Sequence, residues 1–417
     1  MRTKRSRDDG AHRAHRLDRQ ARPAARSPGH ASTAPAPLAH STPSPGRARP
    51  HVCFLAPNAY PVLAGGDAVK FAGGAELQQV LLARGLARRG YRVSMICLDF
   101  GQEDGCEIDG VVVRKAFRPD AGIPVLRFLS PRLTSLWRAL KSVQADIVYQ
   151  RGAGMITGVL AHYCRRYGGK SIFAMAGATK IRFSRDRWMF RYGLRNVDCI
   201  VVQNTLQQEE VRKETGREAV LIPNCYEPPA TAGALAEQGV LWVSTIRHIK
   251  RPHLFLDLAE ALPEHRFTMV GGRDVLEGRL YDEIRERAAR LPNLQFEGFV
   301  PYAQVHPYFE RASLFVNTSE SEGFPNTFLQ TWSLGKPTIS FVDSGARVDG
   351  RPVGCIVGSF DEMVATVRKL LANPAERHRL GEIAKGYVRA NHDMERVLDR
   401  YETLFRTLLA APGREGG

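Results

Sequence analysis

Apolar residues in this chain follow two rhythms, short unbroken runs and helical spacing, which alternate from His51 almost to the C-terminus. Val52-Cys53-Phe54-Leu55-Ala56 is uniformly apolar, the pattern of a strand covered on both faces. A loop rich in Gly and Pro follows at 57–74. Leu77, Val80, Leu81 and Leu86 then predict a helix over about 75–89, closed by Gly90, and 91–98 reads as the next strand. That is a β-α-β unit, so the sheet is expected to be parallel. Further strands are expected at 111–113, 146–149, 171–174 and 199–202, with helices at 133–144, 154–167 and 206–215. The rhythm breaks at 226–238, where Pro228-Pro229, Gly233 and several alanines mark a linker. It resumes with strands at 240–244, 267–270, 294–296, 314–316 and 338–342, and with helices at 252–262, 275–290 and 302–311. Three more helices are expected at about 361–372, at 375–390 and from there to residue 409. Two doubly wound α/β units predict a cleft between them, with ligands beyond the carboxyl ends of the strands.

Composition adds a tail to this picture. The chain has 417 residues, 43% hydrophobic and 24% charged, the range of a globular protein with two domains. Of the net charge of +16, residues 1–50 carry +8, from 11 basic and 3 acidic residues. This Arg-, Ala-, Pro- and Ser-rich segment has too few large apolar residues to offset its ordering entropy, and disorder is expected. Its charge would suit an anionic lipid surface or nucleic acid, but no aromatic interleaving supplies specificity for the latter. No apolar run is long enough to cross a membrane, and no apolar region follows the basic start as in a secretory signal. The seven cysteines form no C-x-x-C pair, which fits reduced core thiols in a cytoplasmic protein.

The chemistry concentrates at Ser319-Glu320-Ser321-Glu322-Gly323-Phe324-Pro325-Asn326-Thr327-Phe328-Leu329-Gln330. An apolar strand leads in, and Pro325 stands where a helix should begin. Free N–H groups at such a helix start favour an anion such as a diphosphate. The neighbouring carboxylate is suited to accept hydrogen bonds from sugar hydroxyls. Gly73 and Gly74, before the first long helix, would let backbone approach a ligand. Lys250 and Arg247, after strand 240–244, are the cations that a nucleoside diphosphate requires. Arg151, after strand 146–149, could meet an anionic acceptor or donor phosphate. The chain contains no Asp-x-Asp, the usual carboxylate arrangement for a diphosphate-bound metal, so no metal is expected. A pair of carboxylates for glycoside hydrolysis, Glu320 and Glu322, is a weaker reading, because both sit on one short loop. Residues 180–192, dense in Arg and aromatics, read either as a helix with its aromatics in the core or as a face for an anionic bilayer.

The 319–337 segment resembles the E-x7-E signature of the large retaining glycosyltransferase family usually called GT4, whose fold is GT-B. The resemblance implies that Glu322 contacts the donor sugar and that the backbone following it, from Gly323 and Phe324 through Pro325, Asn326 and Thr327, meets the diphosphate. Gln330 stands eight residues on, where the family has a second Glu that binds the ribose. Gly73-Gly74-Ala75-Glu76, preceded by Pro57-Asn58-Ala59-Tyr60-Pro61, is similar to the family's glycine loop over donor phosphate and acceptor. Lys250 matches a family Lys, whereas Ser244-Thr245 replaces the usual Gly-Arg; Arg247 is a candidate substitute for the missing guanidinium. Val270-Gly271-Gly272 and Gly298-Phe299-Val300 resemble loops beside the nucleotide base, and Ile222-Pro223-Asn224 a strand end at the interdomain hinge. The His that many members carry in the N-terminal domain has no counterpart in Ala174-Met175-Ala176-Gly177-Ala178-Thr179.

The expected architecture is therefore α/β of GT-B type, two Rossmann-like doubly wound domains facing across a cleft. The boundaries are a tail at 1–50, an acceptor-side domain at 51–225, a linker at 226–238, a donor domain at 239–391 and a C-terminal helix and tail at 392–417. The resemblance implies a metal-independent retaining hexosyltransferase that uses a nucleotide-sugar as co-substrate and no other cofactor. A saccharide or lipid-linked saccharide would be the acceptor, in polysaccharide or glycoconjugate synthesis, in the cytoplasm or peripheral on the inner face of its membrane. A nucleotide-sugar-binding protein with impaired catalysis is the alternative, argued by Gln330 and Thr245, and a nucleic-acid-binding protein is a third.

Overall fold

The computed structural model describes residues 49–65, 73–121, 132–177, 184–228, 237–274 and 276–411. Almost all of the basic tail and most of the 226–238 linker lie outside these segments, as do 66–72 of the glycine-rich loop and 180–183 of the Arg-aromatic stretch.

The first half contributes β1 (His51–Leu55), α1 (Tyr60–Ala64), α2 (Gly74–Arg88), β2 (Arg92–Cys97), β3 (Glu107–Ile108), β4 (Val111–Lys115), α3 (Thr134–Val143) and β5 (Ile147–Arg151). It continues with α4 (Met155–Tyr167), β6 (Lys170–Ala174), α5 (Ser184–Asn196), β7 (Cys199–Val202), α6 (Thr205–Thr215) and β8 (Val220–Leu221). Its eight strands form one sheet in the order β3-β4-β2-β1-β5-β6-β7-β8, parallel except for the β3–β4 pair. The uniformly apolar β1 is explained by its central place. Val52 and Phe54 pack on one side of the sheet, among residues of α2, while Cys53 and Leu55 face the other side, with residues of α3 and α4.

The second half contributes β9 (Val240–Val243), α7 (Pro252–Ala261), β10 (Phe267–Val270), α8 (Gly278–Ala288), β11 (Leu294–Gly298), α9 (His306–Arg311), β12 (Leu314–Asn317) and α10 (Asn326–Ser333). Then come β13 (Thr338–Ser340), the hairpin of β14 (Arg347–Val348) and β15 (Arg351–Pro352), β16 (Cys355–Ile356), α11 (Phe360–Ala372), α12 (Pro374–Asn391) and α13 (Met394–Ala410). Six strands form an all-parallel sheet in the order β11-β10-β9-β12-β13-β16. Here too the layers alternate: Val240 and Trp242 join one core, and Leu241 the other.

Several expected boundaries shift. The helix expected at 302–311 is a 3₁₀ turn at Tyr302–Gln304 followed by α9, with Pro307 in the first turn of α9, where its missing N–H costs no hydrogen bond. The strand expected to reach residue 342 ends at Ser340, whose hydroxyl accepts from the N–H of Val342 and turns the chain. The helix expected from 275 begins at Gly278. The last helix belongs to the opposite half. Met394, Val397, Leu398, Tyr401, Leu404 and Phe405 of α13 complete the core between the first sheet and α2, and the Tyr401 hydroxyl lies 3.3 Å from that of Tyr149 on β5. The seven cysteines are free, and five are buried.

Two buried histidines link this packing to pH. His392 is fully buried, its Nδ1 donating to the Asn224 carbonyl at 2.7 Å, and desolvation pulls its pKa down to about 4. His51 is likewise lowered to about 4, by burial and the nearby Arg92. Between pH 6.5 and 4 the unfolded chain therefore binds protons that the folded chain refuses, so stability should fall as pH drops through this window. Thermal melts across it should show a shallower slope for His392→Gln than for the wild-type chain; equal slopes would rule out a contribution from His392.

Candidate active site

In each sheet the chain reverses its direction of strand addition beside a central strand, leaving a crevice at the carboxyl ends. In the second sheet this reversal separates β9 from β12, and the loops that follow them carry Lys250 and Glu322. In the first it separates β1 from β5, followed by the loop ending at Gly73-Gly74 and by Arg151. Both crevices open into one cavity of about 360 Å³. The residues nominated for sugar transfer line it: Glu322, Lys250, Arg247, Gly73, Gly74, Gly271, Gly272, Arg151, Gln330 and the run from Gly323 to Thr327. Glu320 is exposed and does not line it, so the two loop carboxylates do not flank a common space.

The centre is an ion pair. Lys250 Nζ lies 2.6 Å from Glu322 Oε1, with side chains only 20% and 15% exposed. The same oxygen accepts from Ser319 Oγ at 2.7 Å and from Asn317 Nδ2 at 3.4 Å. The two loops are woven together below this pair. Thr318 Oγ1 donates to the Lys250 carbonyl at 2.7 Å and accepts from Trp242 Nε1 at 3.0 Å. Arg251 donates to the carbonyls of Thr318 and Ser319, at 2.8 and 3.1 Å, and lies over the Phe341 ring. It does so from a left-handed backbone conformation (φ 45°) at the start of α7, which non-glycine residues seldom adopt. Asn317, Ser319 and Arg251 were not nominated from sequence. The polar run Asn317-Thr318-Ser319 directly after an apolar strand was the available signal.

The start of α10 borders this pair. No side chain caps the helix, and Pro325, Asn326 and Thr327 at its start line the cavity, the kind of helix start at which an anion is favoured. Gly323, just before it, approaches the first half so closely that a Cβ there would collide with the Ala176 carbonyl oxygen. Arg247 lines the cavity with Nε 3.4 Å from Asp274 Oδ2, so its charge is partly directed toward that carboxylate. Arg151 Nη2 donates to Asn224 Oδ1 at 2.6 Å. The amide of Asn326, nominated for the donor, is occupied by protein partners. Its Nδ2 donates to the Gly74 carbonyl at 2.9 Å, and its Oδ1 accepts from Asn224 and Gln78.

Away from the cavity, the aromatics of α5 divide: Phe190 is in the core, while Trp188 is 67% exposed and stacked on Tyr192. Among the described residues no group of three or more His, Cys, Asp or Glu side chains is placed to hold a metal ion, and no helix is long and apolar enough to cross a membrane.

Residues 237–373 match the family described as Glycosyl transferases group 1, and residues 72–228 match Glycosyltransferase Family 4. The chain belongs to the GT4-type glycosyltransferases. Its two sheets are the two halves of the GT-B fold. Among curated proteins this glycosyltransferase is similar to the lipopolysaccharide core biosynthesis mannosyltransferase LpcC of Rhizobium leguminosarum bv. viciae, 24% identical over 299 residues, 67% of this chain and 83% of that protein. It also matches the glycosyltransferase 1 domain-containing protein 1 of Xenopus tropicalis, 23% identical over 176 residues, 42% of this chain and 46% of that protein. It thus spans just under half the length of that relative. Among solved structures, sucrose-phosphate synthase from Thermosynechococcus elongatus superposes with a TM-score of 0.72 at 19% identity, covering 87% of this chain and 100% of that one. Anabaena HepE, solved with UDP and glucose, does so at 0.64 and 15%, covering 86% and 100%. These likenesses describe the fold of this GT4 chain.

Proposed function

We propose that this protein transfers a hexose from a nucleotide-sugar to a hydroxyl of a saccharide acceptor, with retention of configuration and without a metal. The observation that carries the reading is the Lys250–Glu322 pair at the crevice between β9 and β12, beside the uncapped start of α10. Lys250 has three N–H donors, and one satisfies Glu322. The others, with the first N–H groups of α10, stabilise the negative charge that develops on the diphosphate as its bond to the sugar breaks. Glu322, held by Ser319 and Asn317, orients the sugar through its hydroxyls. The acceptor enters from the first half, past Gly73 and Arg151, on the leaving-group face. Its oxygen bonds to the sugar carbon, and its proton passes to the departing diphosphate oxygen. Gln330, buried against the cavity, is assigned to the ribose.

Solved neighbours hold different nucleotides: HepE was solved with UDP, and the catalytic domain of Arabidopsis thaliana starch synthase IV with ADP and acarbose. The test must therefore span donor bases. In a thermal-shift screen against UDP-glucose, GDP-mannose and ADP-glucose, at least one donor should raise the melting temperature, since about a hundredfold excess over Kd adds roughly 2.7 kcal/mol. Turnover of that donor should survive a chelator such as EDTA. No shift and no turnover across the panel would overturn the reading, and EDTA-sensitive turnover would overturn its metal-free form.

A further inference from the structure

Gln78 lies on α2 and is buried, and it does not line the cavity. Its side-chain amide nevertheless pairs with two other elements. Gln78 Oε1 accepts from the Cys225 N–H at 2.9 Å, and Nε2 donates to the Cys225 carbonyl at 2.9 Å, so the side chain grips both polar groups of one residue at the exit from the first half. The same Nε2 reaches Asn326 Oδ1, 3.2 Å away, in the first turn of α10. Asn224 Nδ2 donates to that oxygen at 2.9 Å, with its own Oδ1 taken by Arg151. Asn326 Nδ2 closes the circuit on the Gly74 carbonyl. There is no room for slack, because a Cβ on Gly74 would stand 2.7 Å from Asn326 Nδ2.

This seam joins the first half, the crossing segment and the helix start that faces the diphosphate, and it is built almost wholly of neutral side-chain amides. Neutral amide hydrogen bonds are individually modest and exchange readily with water, which suits a junction that must open for ligands to pass. A second seam persists on the other side of the loop, where Asn204 Nδ2 donates to the carbonyls of Gly323 and Ser344 at 3.2 and 3.1 Å.

We propose that Gln78 is a positioning residue that holds the start of α10 against the first half and so sets how readily the cleft closes on the donor. The assignment of a donor to this cleft rests on the function proposed above; the seam itself does not. Gln78→Met keeps the side-chain volume and removes the hydrogen bonds of this side chain to Cys225 and Asn326. Amide hydrogen exchange should quicken in peptides spanning 73–80, 222–228 and 322–330. Because Gln78 does not itself line the cavity and acts on it only through Asn326, closed enzyme would keep its transition-state contacts. KM for the donor should therefore rise roughly tenfold with kcat little changed.

Should Gln78→Met fail to fold, Asn326→Ala removes the same seam from the other side and should give the same exchange pattern. Unchanged exchange at 322–330 in a folded variant would overturn the proposal, as would faster exchange with an unaltered KM or a loss confined to kcat. If the wild-type protein turns over no donor, the function proposed above fails, while the exchange pattern still decides whether Gln78 holds the seam.

Discussion

Glu322→Ala should lower kcat/KM for the nucleotide-sugar by roughly a thousandfold while binding of the free nucleoside diphosphate becomes no weaker. The two effects have opposite signs because the carboxylate has two neighbours. Toward the sugar it accepts charge-assisted hydrogen bonds, each contributing roughly 1.5–3 kcal/mol; two of them correspond to about 10²–10⁴ in rate at a fixed donor concentration. Toward the diphosphate it is a like charge, partly neutralised by Lys250 at 2.6 Å. Removing it releases the ammonium to the anion. Paired measurements, initial rates with the donor identified by thermal shift and calorimetric titration with its nucleoside diphosphate, separate the two roles. A variant within about fivefold of wild type in kcat/KM would mean that Glu322 does not orient the sugar. Loss of nucleotide affinity alongside rate would mean that the loop had collapsed.

Lys250→Ala should fail in the other pattern, losing binding and rate together. The substitution leaves Glu322 facing the diphosphate without its counter-ion, so affinity for the nucleoside diphosphate should drop at least tenfold. Loss of one preorganised donor to the leaving group should cost roughly 10²–10³ in kcat. Lys250→Arg should recover only part of this. The planar guanidinium fork does not reproduce the compact ammonium that contacts Glu322 at 2.6 Å. Thermal melts establish that each variant is folded before kinetics are compared. A Lys250→Ala enzyme with wild-type kcat would remove leaving-group stabilisation from its assigned role.

The strands and helices that face the cleft were legible because each is a continuous local pattern. The apolar run of β12, the loop with Glu322 and Pro325 at the start of α10 fall within a dozen residues, and all lie where the periodicity puts them. What could not be read was everything set by strand order. Lys250 and Glu322 meet across 72 residues, and Asn326 and Gly74 across 252. No local pattern states that β9 and β12 are neighbours. Asn326 shows the consequence: a polar residue at the start of a ligand-facing helix reads as a ligand contact, yet its amide is consumed by the opposite half. The β14–β15 hairpin was missed for a different reason. Its strands have two residues each, too short for any alternation, although Asp349-Gly350 between them, with φ of 50° and 75°, is the residue pair that a tight hairpin turn demands.

The return of α13 to the first half makes this a chain in which sequence order and structural ownership part company. Two stretches, near Asn224 and near His392, pass between the halves, and they run side by side, tied by the Tyr226 N–H to the His392 carbonyl and by His392 Nδ1 to the Asn224 carbonyl. A single cut anywhere between them cannot release either half whole. A premature stop after His392 would spare every loop of the proposed donor site and still strip the wall behind Val52 and Phe54, so damage written at the far end of the gene would surface as misfolding of the part translated first.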